Sequence, residues 1–294
     1  MSSFSITVFT PTFNRVNELK RLYESLKLQS YKKFTWLVVD DGSTDLTRSF
    51  IEQCIKENYI SIDYIYCENG GKQRAYNIAI ENAISDLFIC IDSDDVYIPE
   101  AFEVIVDNWS KITNREEFVS ISYLSGDLKG NLIGSKFPDS INVGRHFDIH
   151  NRFDVRGDKG MAFNTTILKK FRFPVFPDEK FTTEALLYNR MSIKYKTLYI
   201  NHILEIKEYL IDGLSDKYQR LLVDNPKASA TYYNEFFLHE LSLKMKIKAR
   251  INHFRYRFHQ RHFSLNRTTS ISFALNGLCF VFAYILYLKD LKRK

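Results

Sequence analysis

The sequence predicts an α/β protein, a mainly parallel sheet flanked by helices, with a basic helical extension at its C-terminal end. Three observations predict it. Short apolar runs alternate with amphipathic stretches of helical length through about the first 90 residues, the pattern of successive βαβ units. Each of those apolar runs ends in a polar cluster, and ligands of such sheets sit beyond the carboxyl ends of the strands. The charge is also divided unequally. Residues 241–294 carry twelve Lys and Arg against one acid, Asp290, a balance of +11 beside +6 for the whole chain, so residues 1–240 carry about −5.

In order along the chain, residues 5–9 are the first strand and residues 10–15 its polar loop, followed by a helix near 16–28. Residues 34–39 repeat the pattern, with an acidic loop at 40–45 and a helix near 46–58. A third strand at 62–66, a loop at 68–74 and a helix near 73–83 come next, then a fourth strand at 87–91 with acids at 92–95. After Trp109 the pattern is less regular. Residues 118–123 read as a strand and 126–152 as turns and short strands; 160–164 form a strand before a short helix at 165–170. A proline-containing loop at 173–179 precedes a helix near 182–193, and two short strands, 197–199 and 203–209, close the body. This divides the chain into residues 1–110 and 111–225, two halves of one body, and a tail over 226–294.

With 45% hydrophobic and 15% aromatic residues, the 294-residue chain can bury a sizeable core and is not disordered. Cys54, Cys67, Cys90 and Cys279 form no C-x-x-C pair and are expected to be reduced. Met1-Ser2-Ser3 leads into a strand with no basic start and no long apolar run, so no signal peptide is expected.

The run Asp92-Ser93-Asp94-Asp95 sets three carboxylates directly behind an apolar strand. Such groups repel one another unless a cation or a hydrogen-bond network offsets the repulsion. Hard oxygen ligands suit Mg2+ or Mn2+, which bridge one or two carboxylates to substrate phosphates; the alternative is an Asp-rich turn. Pro11-Thr12-Phe13-Asn14-Arg15 opens a helix, where Thr12 and backbone N–H groups could face a base or phosphate, or where Thr12 or Asn14 simply caps the helix. In Asp40-Asp41-Gly42-Ser43-Thr44-Asp45, Gly42 permits a tight turn and one carboxylate can take hydrogen bonds from a base or ribose, while Ser43 or Thr44 can cap the next helix. Asn69-Gly70-Gly71-Lys72-Gln73-Arg74 is a glycine-rich turn with two cations at a helix start, suited to a diphosphate. It has neither the G-x-x-x-x-G-K-[ST] nor the G-x-G-x-x-G spacing, so ATPase, kinase and dehydrogenase readings have no motif.

Taken together, Pro11–Arg15, Asp40–Asp45, Asn69–Lys72 with Asn77, and Asp92–Asp95 resemble family 2 glycosyltransferases of the GT-A fold, in order and spacing, over about the first 110 residues. The chain is similar in this to bacterial surface-polysaccharide glycosyltransferases. The resemblance implies a Rossmann-like nucleotide-sugar-binding half at 1–110, an acceptor-binding half at 111–225, and inverting transfer through Mn2+ or Mg2+ from a nucleoside-diphosphate sugar, with UDP the family default and GDP and dTDP the alternatives. It implies that Pro11, Thr12, Asn14, Arg15, Gly71, Lys72 and Ser93 line the donor, that Asp41 meets the base and ribose, and that Asp92 and Asp94 form a D-x-D motif, with Asp94 the direct metal ligand. The family's general base is an acid at the head of a helix in the second half, and the match here is Glu184, with Glu179 and Asp178 as reserves. Many relatives carry Asp after that acid, where this chain has Ala185. Glu184 could otherwise be a first-turn Glu favoured by the helix dipole. Val155-Arg156-Gly157-Asp158-Lys159-Gly160 resembles an acceptor-side segment or is a charged turn. His146, His150 and His202 read as structural or surface residues.

In the tail, cations and bulky apolar residues interleave over 244–258, and eighteen mostly apolar residues follow at 271–288. Such a segment suits an anionic membrane surface better than a nucleic acid. Its length is at the low end for a span, so an interfacial helix and a single crossing both remain open. The expectation is a glycosyltransferase at the cytoplasmic face of the membrane, acting on a glycan or a polyprenyl-diphosphate-linked acceptor. The alternatives are a nucleotidyltransferase, whose G-x-G-x-x-R loop is missing here, and a non-catalytic membrane scaffold.

Overall fold

The computed structural model describes residues 3–208, 214–260 and 273–292, without the side chains of 214–217 and 273. Tyr209, the last residue of the expected strand 203–209, and Ile271 and Ser272, the first of the apolar segment, lie outside the described residues. The chain forms two compact units, Met1–Arg172 with Lys194–Tyr209, and Phe173–Ile193 with Leu210–Lys294.

The first unit holds a nine-stranded mixed sheet among the described residues. Its N-terminal part is β1 (Ile6–Thr12), α1 (Val16–Lys27), β2 (Phe34–Asp40), α2 (Thr47–Glu57), β3 (Ser61–Tyr66), α3 (Lys72–Asn82) and β4 (Leu87–Cys90). β1 and β2 are apolar runs buried on both faces, as in a sheet covered by helices on both sides. β3, at the sheet edge, is half-exposed and carries the polar Asp63. Each helix turns a 3.6-residue stripe to the sheet: Leu19, Leu22, Tyr23 and Leu26 from α1, and Ala75, Tyr76, Ala79 and Ile80 from α3. Tyr23 stacks on Trp36 with ring centroids 5.9 Å apart, and Phe9 meets Tyr76 at 5.2 Å edge-on.

The parallel strands run in the order β3-β2-β1-β4. The chain therefore winds outward from β1 to β3 and returns to the far side of β1, which makes the gap between the carboxyl ends of β1 and β4 a topological switch point. The rest of this unit is β5 (Val96–Tyr97), α4 (Ala101–Ser110), β6 (Phe118–Gly126), β7 (Val143–Gly144), α5 (His146–Asn151), β8 (Lys159–Asn164), α6 (Thr165–Leu168) and β9 (Lys196–Ile206). β8 enters antiparallel between β4 and β6, and β9 runs parallel to β6.

Three elements differ from the sequence expectation. The two closing strands are one, β9, whose register slips opposite Tyr123 and Leu124. The polar pair Asn201-His202 that resembles a turn is a bulge, and Asn201 pins Phe137 by exchanging hydrogen bonds with its backbone at 2.9 and 3.0 Å. β5 is only two residues long, yet it pairs antiparallel with the end of β9, Tyr97 opposite Glu205. The stretch 126–152, expected as turns and strands, contains α5, which buries Phe147 and Ile149 and brings His146 and His150 one turn apart with ring centroids at 4.6 Å.

The second unit is helical: α7 (Glu184–Ser192), α8 (Leu214–Asp224), α9 (Pro226–Glu235), α10 (Leu243–Phe258) and α11 (Phe273–Leu291). Pro226 opens α9, and the buried Glu179 caps it, accepting from the Lys227 and Ala228 amides at 2.6 and 2.8 Å. A bidentate pair at 2.7 Å joins Arg190 of α7 to Glu235 at the end of α9. α10 lies against α9 through Tyr256 stacked on Tyr233 and through His253, whose Nδ1 meets the Ala230 carbonyl at 3.0 Å.

Candidate active site

The four polar loops predicted from the sequence meet at the carboxyl edge of β1–β4. Asn14 joins the first two. It adopts a left-handed backbone (φ 54°), its amide donates to Ser43 Oγ at 2.8 Å, and its Oδ1 accepts from the Thr44 amide at 2.8 Å. Asp45 accepts from the first-turn amides of two helices, Val16 at 3.3 Å and Thr47 at 3.0 Å. Burial works against its charge, and these hydrogen bonds, with Thr47 foremost, hold the carboxyl below its usual range. Asp40, fully buried, accepts from the Ser43 amide and the Tyr64 hydroxyl, both at 2.7 Å.

Asp41 anchors the glycine-rich loop. Its two carboxylate oxygens accept from the Gly70 amide at 2.7 Å and the Gly71 amide at 2.8 Å, and Asn69 Nδ2 donates to its backbone carbonyl at 2.8 Å. Gly42 (φ +88°) sits against this loop so closely that a Cβ would come within 2.9 Å of the Asn69 nitrogen. Gly71 (φ 92°) then starts α3 from a backbone conformation that only glycine adopts easily. The carboxylate expected at the base and ribose is thus engaged in holding the loop that delivers Lys72.

The charged centre follows β4. Lys72 Nζ, from the first turn of α3, reaches Asp92 Oδ1 at 2.5 Å, and Arg15 Nη1 reaches Asp94 Oδ2 at 3.5 Å. Ser93 and Asp95 are buried between and beside them. Burial opposes ionisation of Asp92, but Lys72, Lys207 and Arg15 outweigh it and hold the group below the usual carboxylate range. Asp94 is shifted the other way, first by burial and then by the neighbouring Asp92 charge. Pro11 lies within β1 opposite Val39, and Thr12, at its end, has a buried hydroxyl that forms no hydrogen bond among the described residues. Pro11, Thr12, Asn14, Arg15, Asp41, Gly71, Lys72, Asp92, Ser93 and Asp94 therefore share one sheet edge.

Sequence reasoning missed Glu205 and Lys207. At the end of β9 they sit two residues apart, on the same face of the strand. Lys207 Nζ lies 2.6 Å from Asp95 and 3.0 Å from Glu205, with all three side chains largely buried. Burial would strip Lys207 of its charge; Glu205, Asp95 and Asp92 outweigh that and hold it protonated well above its usual range. The i, i+2 spacing of an acid and a base closing an apolar strand was the available signal. Arg21 of α1 was missed too; it donates to the Asp94 carbonyl at 3.4 Å and pairs with Glu208.

In the second unit, Glu184 is the first residue of α7, where the helix dipole favours a negative charge. The Tyr218 hydroxyl donates to Thr183 beside it at 3.3 Å. The two reserve acids have structural partners: Glu179 caps α9, and Asp178 pairs with Lys227 Nζ at 3.3 Å.

A profile described as glycosyl transferase family 2 matches residues 7–154, about half the chain, which includes the carboxyl edge of β1–β4 from Pro11 to Asp95. The chain belongs to that family. A curated relative, an uncharacterized glycosyltransferase of Rickettsia conorii, is 32% identical over 136 residues, which is 46% of this chain and 22% of that protein. The chain spans only 19–41% of the length of this and the next four curated relatives. Among solved structures, Staphylococcus aureus TarS 1-349 in complex with UDP-GlcNAc superimposes with a TM-score of 0.64 at 18% identity, covering 97% of this chain and 81% of that one. Mannosyltransferase PcManGT from Pyrobaculum calidifontis, in complex with GDP-Man and Mn2+, gives 0.60 at 13% identity, covering 98% and 88%. These similarities establish the GT-A fold of this family 2 member.

Among the described residues, no three His, Cys, Asp or Glu side chains are grouped to hold a metal by protein ligands alone. Asp92 and Asp94 offer two hard oxygen ligands beside the cations Lys72 and Arg15. That set fits a cation which keeps one or two carboxylates and completes its shell with substrate phosphates and water.

Proposed function

We propose that this family 2 member transfers a sugar, with inversion, from a nucleoside-diphosphate donor to a hydroxyl of a glycan or lipid-linked oligosaccharide in cell-surface polysaccharide assembly. A UDP-sugar is the first donor to test, as TarS binds UDP-GlcNAc, while the GDP-Man in PcManGT keeps guanosine donors in the panel. The observation that carries the reading is the charged centre at the switch point of β1 and β4, with Asp92 and Asp94 facing Lys72 and Arg15.

The mechanism follows from these groups. Asp92 and Asp94 would hold Mn2+ or Mg2+, which would neutralise negative charge on the departing diphosphate. Lys72 and Arg15 exchange their carboxylate partners for phosphate oxygens when the donor enters, so the centre changes partners rather than baring a charge. Thr12, with its buried hydroxyl, and the Asn14 bridge shape the nucleotide side. Glu184 takes the proton of the acceptor hydroxyl as that oxygen attacks the anomeric carbon opposite the leaving diphosphate, which inverts the centre in one displacement. The assignment is supported by its place at the head of α7 and by the structural engagement of Glu179 and Asp178.

The test is release of nucleoside diphosphate from a donor panel, with oligosaccharide acceptors. Glu184→Gln is expected to bind donor like wild type while turnover drops by about 10²–10⁴-fold. Wild-type turnover in Glu184→Gln would remove it from the base role.

A further inference from the structure

We propose that the α10–α11 hairpin is a monotopic membrane-docking device, laying the outer face of α11 into an anionic lipid surface without crossing it. α11 is two-sided. Its inner face, with Cys279, Ala283 and Asp290 buried, packs on Phe254 and Phe258 of α10, and Phe280 lies 5.5 and 5.0 Å from those rings. Polar clamps fix it there: Arg255 grips Asp290 at 2.6 and 2.5 Å, His259 adds a contact at 3.2 Å, and Arg250 donates to Asn276 at 2.8 Å.

The outer face is apolar and, among the described residues, uncovered. Leu278, Val281, Phe282, Ile285 and Leu288 follow helical spacing, each 40–58% exposed. The same spacing continues into the exposed Lys289 and Lys292, so the stripe ends in cations. A contiguous apolar face of this kind, edged by charge, marks an interaction surface.

α11 is long and apolar enough to cross a bilayer by length and composition. Its inner face is nevertheless taken by α10, which carries Lys244, Lys246, Lys248, Arg250, Arg255 and Arg257 within sixteen residues. Each cation at the centre of a membrane helix is strongly penalised, so α10 cannot follow α11 into hydrocarbon. Leaving α10 behind would break the buried Arg255–Asp290 pair. Lying flat keeps every clamp and buries the stripe, the geometry of an interfacial helix.

Charge selects the occupant. Residues 241–294 carry +11, so a second copy would bring the same charge to the interface, whereas anionic head groups complement it.

The test is flotation of the full chain with vesicles of phosphatidylcholine alone and with one third phosphatidylglycerol; it needs no sugar donor, so it fails or succeeds independently of the catalytic reading. Wild type is expected to partition onto the anionic vesicles at least about tenfold better, and less so in high salt. The triple variant Val281→Ser/Phe282→Ser/Ile285→Ser should lose roughly tenfold or more of that binding with its melting temperature retained, since these side chains face away from α10. Lys289→Glu/Lys292→Glu should lose the preference for anionic lipid and gives a second route if the triple variant is unstable. Absence of vesicle binding, or wild-type binding by both variants, overturns the proposal. Binding that survives alkaline carbonate would mean a crossing. Concentration-dependent self-association removed by the triple variant, without vesicle binding, would mean a second copy.

Discussion

Asp41 separates two uses of one carboxylate. If it served only the nucleotide, its removal would leave the ligand-free protein as stable as before. In the structure it is 6% exposed and accepts from the Gly70 amide at 2.7 Å and the Gly71 amide at 2.8 Å. Asp41→Ala leaves both donors without that partner. A buried unpaired amide costs about 1–3 kcal/mol, and the partly buried Gly71 amide, which water can reach, costs about 1 kcal/mol for the lost charge-assisted bond. The sum is about 2–4 kcal/mol, which for a chain of this size lowers the melting temperature by roughly 3–6 °C. Asp41→Asn keeps one acceptor oxygen and should lose about half as much. The assay is thermal and urea unfolding without nucleotide or metal, followed by donor titration of the same samples. A ligand-free Asp41→Ala protein melting within about 1 °C of wild type would refute the anchoring role, because it would show that the loop holds its place unaided.

Other consequences can be measured in the same way. Above about pH 8, where Asp95 is ionised, Lys207→Met leaves Asp95 and Glu205 buried around no cation and should cost about 3–5 kcal/mol in urea unfolding. The deficit should shrink as pH falls, because burial and the Glu205 charge already push Asp95 up to about 8, and a protonated carboxyl needs no counter-ion. His253 is held neutral: burial, against the opposing Ala230 hydrogen bond, lowers it to about 4. The unfolded chain binds this proton first, so stability is full above about pH 6.5 and falls by up to ~3 kcal/mol as pH drops toward 4. The buried His146, lowered by burial and by His150, acts in the same direction. A melting-temperature profile that stays flat from pH 7 to 4 would contradict this, and His253→Gln should flatten part of it. Glu179→Ala should uncap α9 and cost about 1–2 kcal/mol while leaving turnover of the folded fraction unchanged.

Much of this was visible in the chain itself. The four N-terminal strands alternate with helices whose apolar stripes have a clear 3.6-residue period, and a loop rich in Gly, Asp, Ser or Asn closes each strand, so both the parallel sheet and its functional edge could be placed. What escaped was non-local. β5 has two residues and no periodicity; it exists because Val96 and Tyr97 find Ile206 and Glu205 on a strand more than a hundred residues later. The same pairing brings Lys207 to Asp95, a contact no sequence window contains. Asn201-His202 resembles a turn because a bulge and a turn use the same polar residues. Asp41 was legible as a functional-looking acid, but its engagement with Gly70 and Gly71 depends on how two loops pack, which local propensity does not encode. The apolar segment near the end could be read as membrane-seeking, whereas the clamps from Arg250 and Arg255 that make α11 two-sided appear only once α10 lies against it.

The central claim is that the Asp92–Asp94 centre binds a nucleoside-diphosphate sugar through a divalent cation. Its most direct test is thermal stabilisation by UDP-, GDP- and dTDP-sugars, each with Mn2+ and with EDTA, in wild type and Asp94→Ala. A ligand bound by the folded state at about 100 times its Kd adds roughly 2.7 kcal/mol. Stabilisation by one nucleotide class in wild type, lost with EDTA and lost in Asp94→Ala, is the predicted result. Stabilisation that is the same with EDTA, or the same in Asp94→Ala, would contradict the metal-bridged donor site.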